Sequence, residues 1–149
     1  MFEVFRRAPE GYHCFQEPMR EAAWLARDDP ALLLANDDEA TRVLLRHPPM
    51  SAAYFQELHD AWPAWRHALK EEHVYGGYFA QPGADGGQAF WQALAQASPG
   101  RPVFQDCRST GRMLALKQAL GGVHLYLWRN PWDQWTSYQV APYFDATSQ

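Results

Sequence analysis

Arg129, Asn130, Pro131, Asp133 and Ser137 lie close together near the end of the chain, in the run Trp128-Arg129-Asn130-Pro131-Trp132-Asp133-Gln134-Trp135-Thr136-Ser137. Their types and spacing suit an anion. Arg129 offers a charged planar fork that matches phosphate oxygens. Asn130 is a good helix N-cap, and Pro131 suits the first helical position. An acid at Asp133 favours the positive end of the helix dipole. The N–H groups open at such a helix start form an anion site before any side chain is added. Ser137 falls two turns in, and helical side chains lean toward the N-terminus, so its hydroxyl can point back at the same anion. The plainer reading leaves Arg129 solvated and Ser137 on the surface.

Other chemistries find less support. The six histidines include no His-Glu-x-x-His, and although His59 and His67 are two helical turns apart, Pro63 stands between them; no metal is expected. No Gly-x-Ser-x-Gly elbow marks a serine hydrolase. Gly83-Ala84-Asp85-Gly86-Gly87 lacks the lysine and hydroxyl residue of a phosphate loop. Cys14 and Cys107 form neither a disulfide framework nor a zinc pattern, and the expectation is two buried apolar thiols in a reduced, cytoplasmic protein.

The elements that must hold the Arg129 segment are legible around it. Val103–Cys107 is expected as a strand. Ser109 or Thr110 then caps a helix with Met113, Leu116 and Leu120 on one face, stopped by Gly121-Gly122. Val123–Trp128 is nearly continuously apolar, which suits a parallel strand covered on both sides. A helix is expected from Asn130 to about Tyr143. This alternation predicts an α/β fold with a parallel sheet, and in such sheets ligands bind beyond the carboxyl ends of the strands. Earlier in the chain, Phe2–Arg7 suits a helix with Phe2, Val4 and Phe5 as its apolar side, ended by Pro9 and Gly11. Tyr12–Phe15 suits a short strand. Residues 19–97 form a largely helical insertion. Asp37 or Asp38 heads a helix with Val43, Leu44 and Leu45, and Ser51 caps another with Phe55, Leu58 and Trp62 on one face. Pro63 is expected to kink or restart that helix. The five glycines and the proline of Gly76–Gly87 make a loop, and Gln88–Ala97 is a helix with Phe90, Trp91 and Leu94. Most of the aromatic residues between Tyr54 and Trp91 are expected to pack helices onto the sheet, with one or two left to face an acceptor.

The Arg-Asn-Pro-x-Asp-x-x-x-Ser pattern, set after an apolar strand, resembles the 3′-phosphate-binding motif of the sulfotransferases that use 3′-phosphoadenosine-5′-phosphosulfate. The resemblance implies a three-layer P-loop sulfotransferase-like fold. It also implies that Arg129 and Ser137 hold the 3′-phosphate of the nucleotide donor. Ala8–Pro18 resembles the second strand of that family and the Glu-Pro after it, which makes Glu17 the candidate general base toward an acceptor hydroxyl. The alternative is a carboxylate that orients a loop or pairs with an arginine such as Arg20. Pro102–Arg108 resembles the strand before the 3′-phosphate strand; Arg108 either faces the cleft and binds substrate or makes a structural ion pair. The family's opening strand and phosphate loop have no counterpart here, nor has its later adenine-side region. The expectation is therefore an incomplete domain, inactive alone and prone to self-association.

Composition agrees with one soluble domain over 1–149. Hydrophobic residues make up 47% and charged residues 20%, and a 15% aromatic share with 7 tryptophans argues against disorder. The net charge of -4 argues against a nucleic-acid partner. No apolar run reaches membrane-spanning length. The expected reaction is sulfuryl transfer to a small-molecule or carbohydrate hydroxyl or amine. The alternatives are a P-loop kinase-like fragment and a non-catalytic module whose aromatic patch binds a partner.

Overall fold

The computed structural model describes residues 2–35, 50–76 and 86–138. The expected elements at Asp37–Leu45, in the glycine-rich loop at 77–85 and beyond Tyr138 lie outside these residues.

The chain opens with α1 (Phe2–Arg6) and β1 (Tyr12–Gln16). Gly11, at φ 73°, makes the turn between them in a backbone region glycine enters without strain. Val4 is exposed, and Phe5 meets Tyr12 edge to face. Short helices follow: α2 (Glu21–Leu25), α3 (Leu32–Ala35), α4 (Gln56–Asp60), α5 (Trp62–Trp65) and α6 (Glu71–Tyr75). Pro63 restarts the chain as α5, at the start of a helix where its missing N–H costs nothing. Ser51 caps no helix; its hydroxyl donates to the Glu3 carboxylate at 3.1 Å. Helix α7 (Gln88–Ala97) spans the expected residues. Strand β2 (Arg101–Gln105) starts and ends two residues before the expected one. A 3₁₀ turn at Thr110–Arg112 leads into α8 (Met113–Leu120), which Gly121 (φ 66°) and Gly122 (φ 74°) terminate. Helix α9 covers Pro131–Tyr138.

Among the described residues the sheet has two strands, β1 and β2, paired in parallel with Tyr12 opposite Arg101 and Gln16 opposite Gln105. A mixed α/β fold is therefore present. Gly100 allows the strands to meet, because a Cβ there would stand 2.1 Å from the Gly11 carbonyl, which accepts the Arg101 N–H. The crossover from β1 to β2 is the whole helical stretch from α2 to α7. Phe15 stacks on Phe104, and Trp91 meets Phe104 edge to face. Around them Met19, Leu33, Leu58, Trp65, Val74, Phe90 and Leu94 form one buried core. Leu116 joins it from α8, with Leu120 packed at its margin.

One expected strand is not formed. Val123–Trp128 pairs with neither β1 nor β2, and its apolar side chains are exposed, Val123 at 88% and Trp128 at 69%. The segment is apolar as the pattern implies, but a strand also needs a neighbour to bond its backbone, and among the described residues β1 and β2 pair only with each other.

Candidate functional site

The carboxyl ends of two parallel strands face the same way, so the residues just beyond Gln16 and Gln105 share one end of the sheet. Glu17 and Asp106–Ser109 stand there. The Glu17 N–H donates to the Gln105 carbonyl at 2.7 Å, which ties the two strand ends together. Glu17 is also the one described non-glycine residue with positive φ, at 41°. For a side chain this size before proline, that conformation is strained, and such strain clusters at functional sites.

The Glu17 carboxylate, 19% exposed, is held on both oxygens. Arg20 donates to Oε2 at 2.9 Å, and the Cys107 thiol donates to Oε1 at 3.4 Å. Tyr54 approaches from the helical side, its hydroxyl accepting from Gln16 Nε2 at 2.8 Å. Burial first, and then the Glu17 charge, push the Tyr54 phenol above its usual range. Asp106 lies deeper. Burial raises its carboxyl from the usual value, against the Ser109 hydroxyl, which donates to Oδ2. Arg112 is 1% exposed and donates to the His73 carbonyl, joining this end of the sheet to α6. Two carboxyl groups, a phenol and two guanidinium groups thus gather at the sheet end. The group suits proton transfer from a polar substrate more than a metal. Among the described residues no group of three or more His, Cys, Asp or Glu side chains is placed to hold a metal ion.

Glu17 stands at the sheet end and pairs with Arg20, as the alternative expectation for it has it. Arg108 is half-buried at the same end, near enough for its charge to act on Cys107. Arg129 is exposed at the end of the unpaired stretch, and Ser137 lies within α9. The Asn130 cap is present, with Oδ1 accepting the Trp132 N–H at 2.9 Å. Pro131 has no N–H and the Trp132 N–H is taken by the cap, so this helix start offers an anion fewer backbone donors than an uncapped one.

Cys107 is corrected too. It lies beyond β2 and is exposed, whereas Cys14 is buried as expected. Partial burial of its sulfur, then the Glu17 carboxylate, push the thiol up to about 11. From an ordinary 9.0, that predicts about 10²-fold less thiolate at pH 8 and correspondingly slow modification by a thiol reagent. Glu17→Gln should accelerate labelling of Cys107 about tenfold, followed by mass spectrometry. Equal rates in the two proteins would mean that the carboxylate does not hold the thiol.

Tyr54 belongs to the aromatic set from which one or two rings are expected to face an acceptor, whereas the sequence does not single out Asp106 or Ser109 for the sheet end. Ser109, expected as a helix cap, makes no cap bond, and its hydroxyl instead serves Asp106. A described cavity of about 430 Å³ lies toward the other end of the sheet, lined by His13, Asp60, Ala61, Pro63, Ala97 and Pro99 among others. Among the described residues no helix is long and apolar enough to cross a membrane. No family model, no curated protein and no solved structure matches the chain.

Proposed function

We propose that the chain is a sulfotransferase-type protein, passing a sulfuryl group from 3′-phosphoadenosine-5′-phosphosulfate to a hydroxyl or amine. The observation that carries this reading is Glu17: a carboxylate on strained backbone, at the carboxyl end of a parallel strand, with both oxygens oriented. The two strands are then part of a three-layer parallel sheet. Glu17 takes the acceptor proton as the acceptor oxygen bonds to sulfur. The bond from sulfur to the donor's bridging oxygen breaks, and the nucleotide leaves as its 5′-phosphate. Arg129 and Ser137 grip the 3′-phosphate, and Arg108 lies on the acceptor side.

The test is calorimetry on the 149-residue chain. Adenosine 3′,5′-bisphosphate should bind in preference to adenosine 5′-monophosphate and to ATP. Loss of a charged hydrogen bond, about 1.5–3 kcal/mol, should weaken the bisphosphate about 10- to 150-fold in Arg129→Ala while leaving the monophosphate unchanged. Equal loss for both ligands, or no binding of the bisphosphate, removes the assignment. A preference for ATP favours a kinase-like reading.

A second reading has its own observation. Val123, Leu125, Tyr126, Leu127, Trp128, Trp132 and Trp135 are all exposed and nearly consecutive, as a non-catalytic module with an aromatic docking patch would have them.

A further inference from the structure

Among the described residues strand β2 has an open edge. The Arg101 N–H donates to Gly11 and the Gln105 carbonyl accepts from Glu17, so the odd residues of β2 turn their backbone groups toward β1. In a parallel ladder the even residues then turn theirs away. The Pro102 carbonyl and both backbone groups of Phe104 therefore face outward, on the side where no strand lies among the described residues. Proline is tolerated on such an edge because its missing N–H breaks no ladder bond there.

The same chain carries an apolar segment that has no strand partner among the described residues. After α8, Gly121 and Gly122 take left-handed conformations with open space around them, and the chain leaves into solvent rather than back along β2. From Val123 to Trp128 the pattern alternates, with Val123, Leu125 and Leu127 to one side and His124, Tyr126 and Trp128 to the other. The segment carries no Lys, Arg, Asp or Glu, the residues that normally guard an exposed strand. Immediately beyond it, Trp132 and Trp135 stack at 5.2 Å on the exposed face of α9.

We propose that a second copy of this chain covers this surface. Residues 123–128 of each copy add as a strand to the open edge of β2 in the other, about a two-fold axis. An edge and a matching strand on one chain are what such a closed exchange requires, because each copy gives and receives once. The area suffices. An aromatic side chain buries about 150–250 Å², so Tyr126, Trp128, Trp132 and Trp135 from both copies, with the leucines, reach the roughly 1,200–2,000 Å² of a stable interface.

Sedimentation velocity on the full chain between 1 and 100 µM, roughly the range in which an interface of this class forms, should show a dimer. Leu125→Glu with Leu127→Glu should weaken it at least about 100-fold, two charges buried in an apolar interface, and should leave the melting temperature unchanged at concentrations where the unsubstituted chain is monomeric, because both side chains are exposed in the monomer. Hydrogen exchange should show the amides of 123–128 and of Phe104 protected in the dimer and unprotected in the double variant. A monomer throughout overturns the proposal. So does a dimer with those amides unprotected, protection of 123–128 within a monomer, or open-ended assembly. Nucleotide affinity plays no part in these readouts, so this proposal and the proposed function fail separately.

Discussion

Replacing Trp65 by alanine is expected to destabilise the protein by about 3–5 kcal/mol, the cost of emptying a large aromatic site in a close-packed core. Trp65 is fully buried on α5. Its ring meets Phe90 of α7 edge to face at 5.8 Å, and its indole N–H donates to the Leu58 carbonyl of α4 at 2.7 Å. One side chain thus ties three helices together. Trp65→Phe keeps most of the apolar volume but removes the donor to a buried carbonyl, and should cost about 1–3 kcal/mol. Urea unfolding at neutral pH separates the two. A loss below about 1 kcal/mol in Trp65→Ala would mean that the ring is not in the core.

The second large effect belongs to the ion pair under α1. Arg6 donates from Nε to Glu57 Oε1 at 2.7 Å and from a terminal nitrogen to Oε2 at 2.5 Å, while its other terminal nitrogen reaches Glu3 at 2.7 Å. All three side chains are about nine-tenths buried, with exposures of 9%, 11% and 12%. Glu57→Ala strips a buried guanidinium of its two-pronged partner and should cost about 3–5 kcal/mol, toward the lower end because Glu3 remains. The double change Arg6→Met with Glu57→Leu should recover most of that loss, since an apolar pair of similar volume removes the uncompensated charge. Recovery of less than half would place the cost in packing rather than charge. The pair also sets an acid limit. Burial alone would raise the Glu3 carboxyl, but the Ser51 N–H, the Arg6 guanidinium and the Ser51 hydroxyl together hold it below its ordinary value of 4.5. A depressed folded pKa means stability that is complete above the unfolded value and lost as pH falls through the folded one. Urea midpoints should therefore fall below about pH 4.5, and fall less steeply in Glu3→Gln.

Much of this architecture was legible because it depends on local pattern. Gln88–Ala97 repeats its apolar residues at helical spacing and buries Phe90, Trp91 and Leu94. Gly121-Gly122 stops α8 because both residues adopt positive φ. Val123–Trp128 misled for the opposite reason. Its apolar run specifies that the segment wants cover, whereas pairing depends on which edge lies beside it, and nothing within six residues encodes that. Glu17 was legible as a carboxylate after a strand. Its left-handed backbone was not, because a residue before proline is ordinarily drawn to extended conformations. The thiol on Glu17 was hidden as well: Cys14 and Cys107 are the same residue type in similar surroundings, and a two-residue shift in where β2 ends decides which of them reaches the surface.

The pairing of β1 with β2 has a kinetic consequence. Tyr12 and Arg101 are direct neighbours in the ladder yet 89 residues apart along the chain. Closing so long a segment incurs its full loop entropy before the first ladder bond forms, so contacts of this kind form late and slow the search. The helices of the crossover, whose contacts are mostly nearer in sequence, can consolidate first. The sheet and the Glu17–Gln105 bond at its end then close over them. The candidate site is on this account among the last parts of the molecule to be assembled, and a nick anywhere in the crossover would remove the tether that brings its two halves together.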